Sequence, residues 1–150
     1  MAAIDEGQIL QEIFKRPDIQ KLIIFLNTEK QLFEKGQDSR GMRLDDLGGG
    51  YSINTIYGVP GQYAGKIEKG QPINRVTLKD SGEFYKSWKV FAPQGANYVE
   101  IIANPMKNGK DINEEWGGHV IGLDSESIRT LIDEIKTKLA DQTRQQIRKA

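Results

Sequence analysis

Four short stretches carry residue types that could do chemistry: Asp45-Asp46, Gly48-Gly49-Gly50, Asp80-Ser81-Gly82, and Asp111 with Glu114, Glu115 and His119. A carboxylate pair such as Asp45-Asp46 is raw material for acid–base work or a cation site. Glycoside hydrolysis needs two carboxyls held apart in a walled pocket, and nothing around this pair supplies walls. Glu115 and His119 stand four apart, but Gly117 and Gly118 break any helix between them. His119 is the chain's single histidine, whereas zinc sites draw on several nitrogen or sulfur ligands. A solvated turn is the expectation there, with no metal. The glycine triplet fails as a phosphate loop because Tyr51 follows it where Lys-Ser/Thr is required. Leu44 to Leu47 before it is too short and acidic for a buried strand. Ser81 lacks the glycine two positions earlier that a nucleophile elbow requires. Asp80 and Ser81 are expected to cap a helical turn over Glu83 to Ser87. No catalytic residue and no cofactor is expected.

Phe84, Tyr85 and Trp88 stand among Lys79, Lys86 and Lys89, the ingredients of a base-stacking surface for single-stranded nucleic acid. The simpler expectation places Phe84 and Trp88, four apart, in the core with Tyr85 at its rim. Balanced charge, 21 basic against 21 acidic residues, gives no whole-chain field toward DNA or anionic lipid. No sequence-specific reading of nucleic acid is expected. Cysteine is absent, which excludes disulfides and thiolate metal sites. Met1 to Glu6 show neither the basic nor the apolar region of a secretory signal, so synthesis and retention in the cytoplasm are expected. The longest apolar run, Leu22 to Leu26, falls far short of the ~18 residues that span a bilayer, so no membrane partner is expected.

The elements that must position these residues suit an α+β fold in one domain spanning residues 1–150. Residues 5–35 read as a helix in two pieces, capped by Asp5 and kinked before Pro17. The stripe Ile9, Leu10, Ile13, Phe14, Ile19, Leu22, Ile23, Phe25, Leu26, Leu32 and Phe33 is wide enough to face a core, though it would also suit a partner helix. Asn27, Glu29 and Lys30 are expected outside, and Gly36 closes the helix in the left-handed region. Residues 36–75 hold nine glycines with Pro60 and Pro72, and read as a long arm that orders only against a neighbour. Within the arm, Ser52 to Tyr57 reads as one helical turn, Gly58 to Gly61 as a tight turn, and Gly65 to Gln71 as solvated. Alternation of Val90, Ala92, Val99, Ile101 and Ala103 predicts a β-hairpin between Ser87–Ala92 and Asn97–Ala103, part of a small antiparallel sheet. A polar turn at 107–110 and a short helix from Asp111 to Trp116 follow. The last helix is capped by Asp124 or Ser125, with Leu123 stapled to Ile128. It sets Ile128, Leu131, Ile132, Ile135 and Leu139 on one face, and its polar end, about 140–150, is expected to fray.

Three blocks, in order, resemble the virion-morphogenesis and tail-completion proteins of tailed bacteriophages. The first is Phe33-x-x-Gly36-x-Asp38-Ser39-x-Gly41, then Tyr51-Ser52-x-x-Thr55 and Lys66. The second is Thr77-Leu78-x-Asp80-Ser81-Gly82-x-Phe84-x-x-Ser87. The third is Trp116-Gly117 followed by Ile121-Gly122-Leu123-Asp124-Ser125-Glu126. The chain departs from that pattern by an insertion at 57–64 and by Glu115-Trp116 where the family has histidine before the glycine. The resemblance implies a non-catalytic structural protein of the head–tail joint, neck or tail end, made in the host cytoplasm and carried in the virion. It implies self-association, as a ring in the particle, and contact with portal, neck or tail proteins. Asp38, Gly41, Tyr51, Ser52, Thr55, Asp80, Ser81, Gly82, Phe84, Tyr85, Trp88, Trp116, Gly122 and Leu123 become the candidate assembly residues. Loop 36–75 and the hairpin 87–103 become the candidate intersubunit contacts.

Overall fold

The computed structural model describes residues 5–107 and 109–149; Asn108, in the expected polar turn, and residues 1–4 and 150 lie outside it. Helices α1 (Glu6–Lys15) and α2 (Pro17–Phe25) meet at Arg16. Pro17 occupies the first turn of α2, where its missing N–H costs nothing, and pushes Arg16 into extended backbone. Asp5 caps α1 by accepting from the Gln8 amide at 3.1 Å. The chain then continues from Leu26 to Lys35 as a π-helix and ends at Gly36, φ 62°. A π-helix of this length is rare.

The arm is folded. It contains α3 (Leu44–Gly48), α4 (Ile53–Tyr57) and the ladder of β1 (Gly58–Val59) with β2 (Tyr63–Ala64). Ser52 caps α4 through the Thr55 amide. The expectation of an arm ordered only by a neighbour is corrected by its own-chain hydrogen bonds: Leu44 N to Gly36 O, Lys66 N to Thr55 O and Ile67 N to Ile56 O. The glycines are what let the backbone fold so closely. A Cβ at Gly65 would lie 2.3 Å from the Gly58 nitrogen.

After the short helix α5 (Glu83–Lys86), β3 (Lys89–Phe91) pairs antiparallel with β4 (Glu100–Ile102), setting Val90 opposite Ile101. β5 (Met106–Lys107) and β6 (Lys110–Asp111) form a third two-stranded ladder. Asp111 caps α6 (Ile112–Trp116) through the Asn113 amide at 2.8 Å, and a 3-10 turn (Gly118–Val120) leads to α7 (Ser125–Lys149). The fold is thus α+β, its antiparallel pairing among the described residues distributed over three two-stranded ladders and an isolated bridge between Gln37 and Arg43. Among the described residues, no helix is long and apolar enough to cross a membrane.

Two apolar clusters adjoin at Ile101. One packs Ile9, Ile13, Ile19 and Ile23 against Leu131, Ile135 and Leu139 of α7. The other gathers Leu32, Leu44, Val76, Leu78, Phe84, Tyr85, Trp88, Ile112 and Val120. Three expectations are corrected here. Tyr85 is buried and not at the rim, Phe25 is exposed, and Ile128 and Ile132 of α7 are each 44% exposed. The apolar stripe on α7 is wider than the surface that α1 and α2 cover. The polar end of α7 remains helical to Lys149.

Candidate functional site

The three blocks singled out in the sequence pack on one another around the segment Val76-Thr77-Leu78-Lys79-Asp80. This segment belongs to no ladder. Leu78 has φ 58°, a left-handed conformation uncommon for leucine, which takes the chain off an extended path. Its backbone groups are met by side chains instead. Tyr85 Oη donates to Thr77 O, Lys107 Nζ to Leu78 O at 3.1 Å, Lys66 Nζ to Lys79 O at 2.7 Å, and Gln71 Nε2 to Asp80 O at 2.8 Å. Thr77 N donates to Tyr51 Oη at 2.7 Å. Four consecutive carbonyls therefore receive four side-chain donors, which satisfies a largely buried backbone without a neighbouring strand.

The charges around this strap follow from the same geometry. Lys66, expected in solvent, is 4% exposed. Its ammonium also donates to Gln71 Oε1 at 3.1 Å and sits 4.5 Å from the Tyr51 ring centroid, a cation–π contact. Burial holds the Lys66 and Lys107 ammonium groups below their ordinary value, with nearby Asp80 opposing the shift. Asp80 bonds Lys69 at 2.5 Å, and that bond holds its carboxyl below the ordinary carboxylate value. Asp80 thus serves as counter-ion. The expected capping of α5 by Asp80 and Ser81 is corrected: Gly82 holds the N-cap position without a side-chain cap bond, and Ser81 Oγ, one residue earlier, accepts from Glu83 N at 3.3 Å. Gly82 supplies the left-handed residue before that helix, φ 88°. Phe84 and Trp88 meet edge to face at 5.5 Å.

The other blocks are framework as well. Asp38 is fully buried and accepts from the Arg40 and Met42 amides and the Arg40 guanidinium, closing a tight loop that Gly41 completes at φ 78°. Ser39 N reaches His119 O at 2.9 Å, and Gly122 lies beside the Ser39 side chain. Trp116 covers Gly48, where a Cβ would lie 2.6 Å from the indole. Leu123 packs into the helical cluster. Asp45 is engaged by Arg43 at 2.6 Å. Asp111, Glu114 and Glu115 line an open depression of about 470 Å³ with Met106 and Lys110. Among the described residues, no group of three or more His, Cys, Asp or Glu could hold a metal ion.

The sequence reading missed a polar clamp on the turn into α7. Asn27, expected outside, is fully buried. Its amide donates to Val120 O at 3.1 Å and accepts from Gly122 N at 2.8 Å. Gln31, one turn on, donates to Gly122 O and accepts from Asp124 N, both at 2.8 Å. The two carboxamides read alternate residues of 120–124 as a neighbouring strand would. Asp124, and not Ser125, then caps α7 through Ser127 N at 2.8 Å. The signal was the i+4 row Ile19, Ile23, Asn27, Gln31, whose first members are core.

Besides Phe25 and the α7 residues, large apolar side chains remain exposed on the arm and the β3–β4 hairpin. Ile53, Tyr57 and Tyr63 lie on the arm, and Phe91, Tyr98 and Ile102 on the β3–β4 hairpin. The hairpin register turns Val90 and Ile101 inward and leaves Phe91 and Ile102 on the opposite face. No protein-family model matches the chain, and neither a curated protein nor a solved structure does.

Proposed function

We propose that the chain is a structural protein of a tailed-phage virion, acting in head–tail joining or tail completion through protein–protein contacts and without catalysis. The observation that carries this reading is the exposure of large apolar side chains on the arm and the hairpin, because grouped exposed apolar surface marks interaction sites. The ordered blocks that resemble the tail-completion family supply the biological setting. On this reading Ile53, Tyr57, Tyr63, Phe91, Tyr98 and Ile102 contact other copies in a ring or neighbouring neck, portal or tail proteins. The residues first singled out, Tyr51, Asp80 and Tyr85 among them, fix the frame that presents those surfaces.

Burial of Phe84, Tyr85 and Trp88 counts against the alternative of a nucleic-acid-binding protein that uses these rings and the lysines around them, since stacking needs accessible ring faces. The test is mass spectrometry of gradient-purified tailed-phage particles from the cell that encodes the chain. Peptides of this protein banding with the particles are the expected result; a chain confined to the soluble lysate would overturn the reading.

A further inference from the structure

Among the described residues the outer edge of α7 is unpartnered, and it carries a pattern of its own. Ile128 and Ile132 are exposed in its first half, Ile147 is 60% exposed near its end, and Lys136 and Ala140 are exposed between them. Ile128, Ile132, Lys136 and Ala140 follow i+4 spacing, so they form one ridge. Charge is segregated along the helix. Glu126, Asp133 and Glu134 outnumber Arg129 and Lys136 in the first half, while Lys138, Arg144, Arg148 and Lys149 face only Asp141 in the second. The helix dipole favours such a bias only within the first and last turns. Asp133, Glu134, Lys136 and Lys138 lie in the middle. Glu134 is engaged by Lys138 along the helix, and Lys138 by Asp18; Asp133 has no ion pair among the described residues. From Arg144 onward every described residue is exposed, and a polar helical end without a neighbour is marginal in water.

The geometry points to α7 of a second copy of this chain as the occupant of that edge, the two helices lying antiparallel about a two-fold axis. Antiparallel docking sets the acidic half of each helix against the basic half of the other, whereas parallel docking would set like charges together. In the register that places Ile128 against Ile147 of the second copy, Ile132 meets Thr143 of the second copy. Asp133 then comes within a turn of Arg144 of the second copy. An isologous contact repeats every pair twice. An anionic membrane would attract the basic half but be repelled by Asp133 and Glu134. This interface goes beyond the virion reading and does not depend on it.

Sedimentation of the full chain over a concentration series should give a reversible dimer at low salt that weakens as salt is raised. Ile128→Lys with Ile132→Lys should leave a folded monomer whose melting curve matches that of the unaltered chain at concentrations where that chain is also monomeric. Asp133→Arg and Arg144→Asp should each weaken association by roughly tenfold, two repulsive pairs replacing two attractive ones, and their combination should restore it. Because the chain has no cysteine, oxidising a mixture of Ile128→Cys and Ile147→Cys chains should cross-link the two kinds to each other. A chain that stays monomeric at every concentration overturns the proposal. So does a dimer that survives the double lysine variant and yields no 128–147 cross-link.

Discussion

Three adjacent glycines do different work, and their neighbours show which of them a side chain would disturb. At Gly48 a Cβ would meet the Trp116 indole at 2.6 Å and Glu115 O at 2.7 Å; at Gly50 it would meet nothing within 4 Å. Gly48→Ala should therefore destabilise the fold by about 1–3 kcal/mol through overpacking, while Gly50→Ala should be close to neutral. Urea titration of the two variants checks the contrast, and equal losses would refute it. The sequence sets the triplet aside as a phosphate loop only through Tyr51, which follows it where Lys-Ser/Thr is required. The tryptophan seated on its first glycine was not legible, because Trp116 lies far along the chain and local rules carry no information on that contact.

Elements whose boundaries are set locally were legible. Pro17 breaks the first helix at Arg16, Gly36 ends the helix that follows, residues 52–57 hold a helical turn, and alternation places a hairpin within 87–103. The π form of Leu26–Lys35 and the pairing of Val90 with Ile101 were not read. Elements held by distant partners were not. Asn27 and Gln31 look like surface residues until the turn at 120–124 is laid beside them, and the glycine-rich arm looks loose until its amides find their acceptors. The clamp gives a sharp expectation. Asn27→Leu would leave Val120 O and Gly122 N without partners in a buried site, at roughly 1–3 kcal/mol for each group. Ser125→Ala should cost little, since Asp124 is the cap. Thermal denaturation followed by circular dichroism compares the two, and a larger loss for Ser125→Ala would reverse the assignment.

Taken whole, the molecule responds to pH through buried charge. Burial pushes the Asp38 carboxyl up, but the Arg40 guanidinium and the Met42 and Arg40 amides outweigh it and hold it below 3.8; Asp124 is held low in the same way by Ser127 and Lys35. Folded values below the unfolded one mean stability that is present above 3.8 and lost as pH falls through the folded values. Asp38→Asn should flatten that acid limb, measured as urea midpoints from neutral pH downward; an unchanged slope would exclude Asp38 as a contributor. On the alkaline side Tyr85 works the other way. Burial raises its phenol above 10.0, so stability is lost once an unfolded tyrosine can ionise. Lys66 and Lys107 oppose that loss, because their depressed values favour the fold as pH climbs toward 10.5. The side-chain-held strap at 76–80 also has a consequence in time. Its bonding partners come from Tyr51, Lys66, Gln71, Tyr85 and Lys107, on both sides of it in the chain, and the expectation is that these bonds close late in folding. Contacts made past the barrier govern the rate of escape and leave the rate of approach alone. Lys107→Met should steepen neither chevron arm but lift the unfolding one, making the strap a latch on the lifetime of the folded chain.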